Sequence, residues 1–348
     1  MPSSYTSSAV PIFAIPIGVT AAAFRQTLPA GTRWESAGPL GGRAAGNVAT
    51  LGAMELLFAY ARSLRPLGGT GAAVSRLFPD LRRSFSLWRI EDLPASERTN
   101  PYILTGYRRC RSRTACLWSL LRWHNETVNV WSNIITLGML AALLVEDNAS
   151  RFTELRVDPA RRLLLTVMPV AYGAMLLTSA IYHTFNCTPN ARALYLLDFA
   201  GVWLSVVTYV LGFTALQFRG IARILHLSGA IAAAAPSFLL TAVPSYRESR
   251  YDSSRIRTMA WFALYSLVPL GHFAVSGDVG LVTRTLPGHV TVLVLLTLSL
   301  AVFISHVPER LWPGAVDLVG ASHQIWHVGV SACVLIAHEL QFAYVKPR

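Results

Sequence analysis

The stretch "TVNVWSNIITLGMLAALLVE", residues 127–146, decides the fold. It is predominantly apolar, holds no arginine or lysine, and carries its only acid at its last position. Roughly 20 such residues are what a helix needs to cross a bilayer. Before it, the chain mixes Gly, Pro, Ser and Arg with short apolar patches. After it, apolar blocks of similar length follow near 163–182, 194–216, 224–243, 256–275, 289–307 and 319–342. The loops between them are short, and each carries at least one arginine. Pro169, Pro236 and Pro269 fall inside blocks, which membrane helices tolerate. The pattern predicts an all-α protein, a seven-transmembrane helix bundle over 108–348 with an N-terminal extramembrane, partly disordered region over 1–107.

Composition agrees with this. Of 348 residues, 53% are hydrophobic and only 14% are charged, where a soluble domain carries about 25% charged residues. The net charge is +12, and all but one of the 30 basic residues are arginine. In a membrane protein such an excess reads as topology and attraction to anionic lipid. No basic stretch interleaves with aromatics, so nucleic-acid binding is not expected. Cys110, Cys116, Cys187 and Cys333 form no CxxC pair, and the chain is too long for a disulfide scaffold. In the N-terminal region, residues 53–65 read as one amphipathic helix and "PLGGTGAA" as a flexible break. The apolar run 9–24 contains two prolines and lacks a basic leader, which argues against a secretory signal.

Arginine placement sets the expected orientation. The flank before the first span holds Arg108, Arg109, Arg111, Arg113 and Arg122, against Arg151, Arg156, Arg161 and Arg162 after it. The first span usually dominates, so the N-terminus is expected in the cytoplasm.

Ionisable residues inside spans are functional candidates. Two acids stand out: Asp198, early in the third span, and Glu339, near the end of the seventh. Glu339 can snorkel to the interface, whereas Asp198 has apolar neighbours on both sides. The end of an even span and the start of an odd span lie on the same membrane face. His183 ends span two, Asp198 begins span three, and His323 and His327 begin span seven in "GASHQIWHVGV", residues 320–330. Three histidines and one acid therefore share a leaflet, whatever the absolute orientation.

His323 and His327 stand one helical turn apart and point the same way. Such a pair is a common two-point clamp for zinc, and a third histidine with one open position is the catalytic zinc pattern. Ser179, one turn before His183, could orient a water or ligand, or be a small residue that allows tight helix packing. By the same count His226, His272, His289 and His338 fall near the opposite face, and His124 is interfacial. His306, at the end of span six, and Cys187, four residues after His183, are alternative ligands on the correct face.

Five blocks then carry a resemblance. "NPYILTGYR" (100–108), "HNETVNVWSN" (124–133), "SAIYHTFNC" (179–187), "LDFAG" (197–201) and "PERLWPGAVDLVGASHQIWHV" (308–328) resemble the progestin and adipoQ receptor family. They are most similar to its adiponectin-receptor branch, with haemolysin-III proteins as distant relatives. The resemblance covers about residues 91–344, and the blocks occur in family order. It implies a seven-helix fold with a cytoplasmic N-terminus and an external C-terminus, opposite to G-protein-coupled receptors. It implies a zinc ion (Zn2+) held by His183, His323 and His327, with Asp198 contacting the zinc or its water, and Ser179 in a Ser-x3-His pattern. The segment between His183 and Asp198 is slightly shorter than the family pattern.

The resemblance links the chain to ceramidase-like hydrolysis and to receptor signalling. The first reading makes it a zinc-dependent amidohydrolase with a ceramide or other sphingolipid as substrate, and Asp198 and Ser179 as catalytic groups. The second makes it a signalling receptor whose zinc is structural. A transporter is disfavoured, because no inverted repeat or charge-lined series of spans is present. Expected partners are a membrane lipid and an extracellular protein or small-molecule ligand. A homodimer is compatible with this reading. The expected location is the plasma membrane or the endoplasmic reticulum and Golgi.

Overall fold

Seven long helices occupy the seven apolar blocks in the computed structural model, which describes residues 87–109, 112–241 and 253–345. They are α1 Thr127–Glu146, α2 Pro159–Phe185, α3 Ala191–Gln217, α4 Gly220–Thr241, α5 Ser253–Ser276, α6 Val279–Ser305 and α7 Ser322–Phe342. Among the described residues no strand forms beyond an isolated bridge between Trp88 and Tyr107. Six of the helices are long and apolar enough to cross a membrane, and α4 supplies a shorter apolar stretch, Gly220–Pro236. The helix expected over 53–65, the "PLGGTGAA" break and the apolar run 9–24 lie outside the described residues.

The helix ends differ from the sequence expectation where polar residues continue a helix. Pro159 opens α2, where its missing N–H costs nothing, and the Asp158 carboxylate accepts from the Arg161 amide at 3.0 Å. Arg161 and Arg162 therefore lie inside the helix, not on a loop before it. Asp278 caps α6 in the same way, accepting from the Leu281 amide at 2.9 Å. That helix starts well before the expected 289, with Arg284 and Pro287 inside it. After α1 a π-helical turn, Asp147–Arg151, and a further turn, Phe152–Glu154, continue the helical path where a loop was expected.

The chain divides into two compact units. The first comprises the described residues up to Ser132, together with His183–Pro189 and Ser299–Ala332. Here the segment before α1 is ordered by specific anchors. Asp317 accepts from the Leu104 amide (3.1 Å), the Thr105 amide (2.8 Å) and the Thr105 hydroxyl (2.7 Å). Leu93, Ile103, Tyr107 and Ala321 bury their apolar surface together, with Trp88, Ile90 and Val316 against them. A short helix, Arg113–Ser119, starts with the Ser112 hydroxyl accepting from the Ala115 amide.

The second unit comprises Asn133–Tyr182, Asn190–Leu298 and the chain from Cys333. Trp203 and Val210 of α3, Ala230 and Ala234 of α4, and Phe262 of α5 form one core. Phe152, Leu165 and Phe342 form another. Asp147 is fully buried, and its carboxylate meets the Nε2 of His338 at 2.8 Å. Arg151 bonds both carboxylate oxygens of Glu339, at 2.9 and 2.6 Å. Glu339 is thus paired at the helix end and does not stand free in the interface.

Candidate metal centre

His183 lies in the last turn of α2, and His323 and His327 lie in the first two turns of α7. The start of α7 is fixed by its neighbours. Gly320 takes a φ of +98°, a conformation that side chains disfavour, so the chain turns sharply there. The Glu309 carboxylate accepts from the Ser322 amide at 2.7 Å and from the Ser322 hydroxyl, and Asn100 donates to it at 3.1 Å. Gln324 folds back, accepting from the Gly320 amide at 2.6 Å and donating to the Asn125 carbonyl at 3.1 Å. The end of α2 is gripped from outside. Arg108 donates to the carbonyls of His183 (2.6 Å) and Thr184 (3.2 Å), and to Ser119 Oγ (2.7 Å) and Asn186 Oδ1 (3.0 Å).

These anchors converge three imidazoles. The ring centroids are 5.1 Å apart for His183 and His323, 4.7 Å for His183 and His327, and 4.9 Å for His323 and His327. The Nε2 of His183 lies 3.4 Å from that of His323 and 3.1 Å from that of His327. The three ligand atoms all lie within 4.8 Å of one another, so the trio could hold a metal ion. The spacing fits a definite donor set. Nitrogens about 2.0–2.1 Å from a tetrahedral zinc stand about 3.3–3.4 Å apart, close to the separations found. His183 and His327 are buried and His323 is half-buried, with Phe303 edge-on to its ring at 4.9 Å.

The other nitrogen of His183, Nδ1, lies 2.8 Å from Glu126 Oε2. An ionised carboxylate only accepts, so Nδ1 carries the proton and Nε2 presents its lone pair to the cluster. Asn129 also donates to Glu126, at 2.7 Å. Burial alone would raise the Glu126 pKa, but the bonds from His183 and Asn129 hold it well below the ordinary carboxylate range. Beside it His124 is buried, and its Nδ1 accepts from the Glu126 amide at 3.1 Å. Burial, then the charge of Arg108, push the His124 pKa well below its ordinary value, so this ring is neutral. His124 is therefore buried within the protein rather than facing its surroundings.

Among the described residues, neither alternative ligand joins the converging group of ligand atoms. His306 Nδ1 lies 3.0 Å from the Phe303 carbonyl, with the ring edge-on to Tyr102. Cys187 Sγ faces Cys116 Sγ at 3.6 Å. Ser179 and Asp198 belong to the second unit. There the buried Ser179 hydroxyl accepts from Asn133 Nδ2 at 3.1 Å, and Asp198 is half-buried on α3. In the sequence Arg108 counted only towards orientation and Glu126 had no assigned role, although both sit in blocks that carry the resemblance. The face-sharing argument reaches Glu126 too, because it precedes the start of an odd span.

Long apolar helices with a three-histidine cluster define a multi-pass membrane protein with a candidate metal centre. The haemolysin-III-related family matches residues 121–338, well over half of the chain, and the protein belongs to that family. It is similar to the mouse protein named progestin and adipoQ receptor family member 3, at 28% identity over 278 residues, covering 76% of this chain and 89% of that protein. Heptahelical transmembrane protein 1 of Arabidopsis thaliana is 30% identical over 250 residues, covering 69% of this chain and 75% of its own. The Drosophila melanogaster adiponectin receptor protein is 24% identical over 263 residues, covering 73% and 58%.

Proposed function

We propose that the protein is a zinc-dependent membrane amidohydrolase that cleaves the amide of a ceramide-like sphingolipid. The observation that carries this reading is the convergence of three imidazole nitrogens at tetrahedral-edge spacing, one of them with its tautomer set by Glu126. Three histidine ligands leave one coordination position open, the arrangement of catalytic rather than purely structural zinc. Zinc in such a site supplies Lewis acidity and makes water acidic enough to attack near neutral pH. His183, His323 and His327 would hold the ion, and Glu126, bonded to Nδ1 of His183, leaves its Nε2 turned to the cluster. Asp198 takes up the proton of the attacking water and returns it to the leaving amine, an assignment that rests on the family resemblance. Ser179, placed by the Ser-x3-His pattern, helps to stabilise the oxyanion. The arginine flanks support a cytoplasmic N-terminus.

The test is fatty-acid release from ceramide by purified protein with added zinc. Asp198→Asn should slow release by roughly 10²–10⁴-fold, the usual contribution of general acid–base catalysis. Equal rates for the wild type and Asp198→Asn would exclude the mechanism.

A second reading is favoured by the relatives' names, several of which are receptors. In it the metal only ties the end of α2 to the start of α7. The two readings part on chelation. Apo-protein that keeps its unfolding midpoint but loses hydrolysis supports the enzyme, and apo-protein that melts supports the receptor.

A further inference from the structure

Two thiols face each other in the first unit, and the proposed chemistry uses neither. Cys116 lies on the Arg113–Ser119 helix and is fully buried. Cys187 lies in the turn after α2 and is half-buried. Their Sγ atoms are 3.6 Å apart across 71 residues of sequence, and neither cysteine is in a disulfide. Ala115 and Phe185 complete the apolar cluster around them. The pair is in van der Waals contact through tertiary placement, and bonding, at about 2.05 Å, needs the two sulfurs to close further. Arg108 joins the same two segments, through Ser119 on one side and Thr184 and Asn186 on the other.

We propose that Cys116 and Cys187 form a reversible redox site that is oxidised by peroxide. The more accessible Cys187 thiolate attacks hydrogen peroxide; an S–O bond forms, the O–O bond breaks, and one water leaves with Cys187 as a sulfenic acid. Cys116 then attacks that sulfur, the S–O bond breaks, and a second water leaves with the disulfide formed. The two electrons lost by the thiols reduce one peroxide to two waters. A thiol reductant reverses the step by exchange. The product staples the Arg113–Ser119 helix to the turn that follows His183. With the orientation proposed above, this pair faces a reducing compartment, where such disulfides are transient and regulatory. The inference stands whether or not the histidine cluster holds a metal.

The test uses the full chain in detergent micelles, exposed to hydrogen peroxide, alkylated, and digested without reduction. Mass spectrometry should find the Cys116–Cys187 linked peptide together with a loss of two free thiols per chain. Dithiothreitol should restore both, and the oxidised protein should unfold at a higher temperature. In Cys116→Ser, the Cys187 sulfenic acid should persist and be trapped by dimedone. Linkage of Cys187 to Cys110 or to a second chain would overturn the proposal. So would survival of both thiols as long as the buried Cys333.

Discussion

A carboxylate oxygen 2.8 Å from the Nδ1 of His183 decides which nitrogen of that ring carries its proton. Glu126 is therefore predicted to act on metal affinity through the orientation of His183. Removing such a partner typically lowers affinity about 10–100-fold. Glu126→Ala should show this loss in competition against a zinc chelator, and Glu126→Gln, whose amide oxygen can still accept, should lose less. Equal affinities for all three proteins would mean that the tautomer of His183 does not need Glu126. The histidines themselves were legible in the sequence, because counting spans places them on one face without any knowledge of packing. Glu126 lies on the same face by the same count, but its role depends on a contact with Nδ1 of His183 that spacing alone does not show. The neutral burial of His124 was not legible, because it depends on the fold of residues 100–126 against the helix ends.

At the scale of the element, the start of α7 is the feature on which the centre depends. Glu309 accepts the first amide and hydroxyl of that helix. Burial pulls its pKa upward, but the bonds from Ser322 and Asn100 more than offset this and hold it below the ordinary carboxylate value. The sign follows from that direction. The stabilisation is fully present above the pKa of an unfolded glutamate and is lost as pH falls through the lower, folded value. The wild type should lose stability on acidification across that window, and Glu309→Gln should show a flatter pH profile. At neutral pH the same substitution should cost about 1–3 kcal/mol, the range for disrupting a bond to a buried group, measured by denaturant unfolding. A second element-scale prediction concerns Gly329, two residues after His327. A Cβ there would overlap the Ser299 hydroxyl of α6. Gly329→Ala should lower the unfolding midpoint, while Gly329→Ala combined with Ser299→Gly should recover part of it. No change in the single variant would show that α6 and α7 can separate at no cost. The sequence showed where the helices are, because an apolar run of spanning length is unambiguous. It misplaced ends such as those of α2 and α6, where Asp158 and Asp278 extend a helix past residues that read as loop.

At the scale of the whole molecule, composition and the count of apolar blocks identified the membrane class, and the family match over 121–338 agrees. The order of residues 87–109 was not legible, because those residues lack the periodicity of a helix. They are held instead by side-chain anchors such as Asp317 and Arg108. The orientation proposed from the arginine flanks predicts that a glycosylation tag at the N-terminus stays unmodified in cells and that one at the C-terminus is modified. The reverse pattern would place the histidine cluster on the external side. The central claim is that His183, His323 and His327 together hold one zinc ion. Metal analysis of the purified wild type beside His183→Ala, His323→Ala and His327→Ala tests it most directly. The account predicts about one zinc per chain in the wild type and its loss in each variant. A metal-free wild type, or zinc retained in full by any of the three variants, would contradict it.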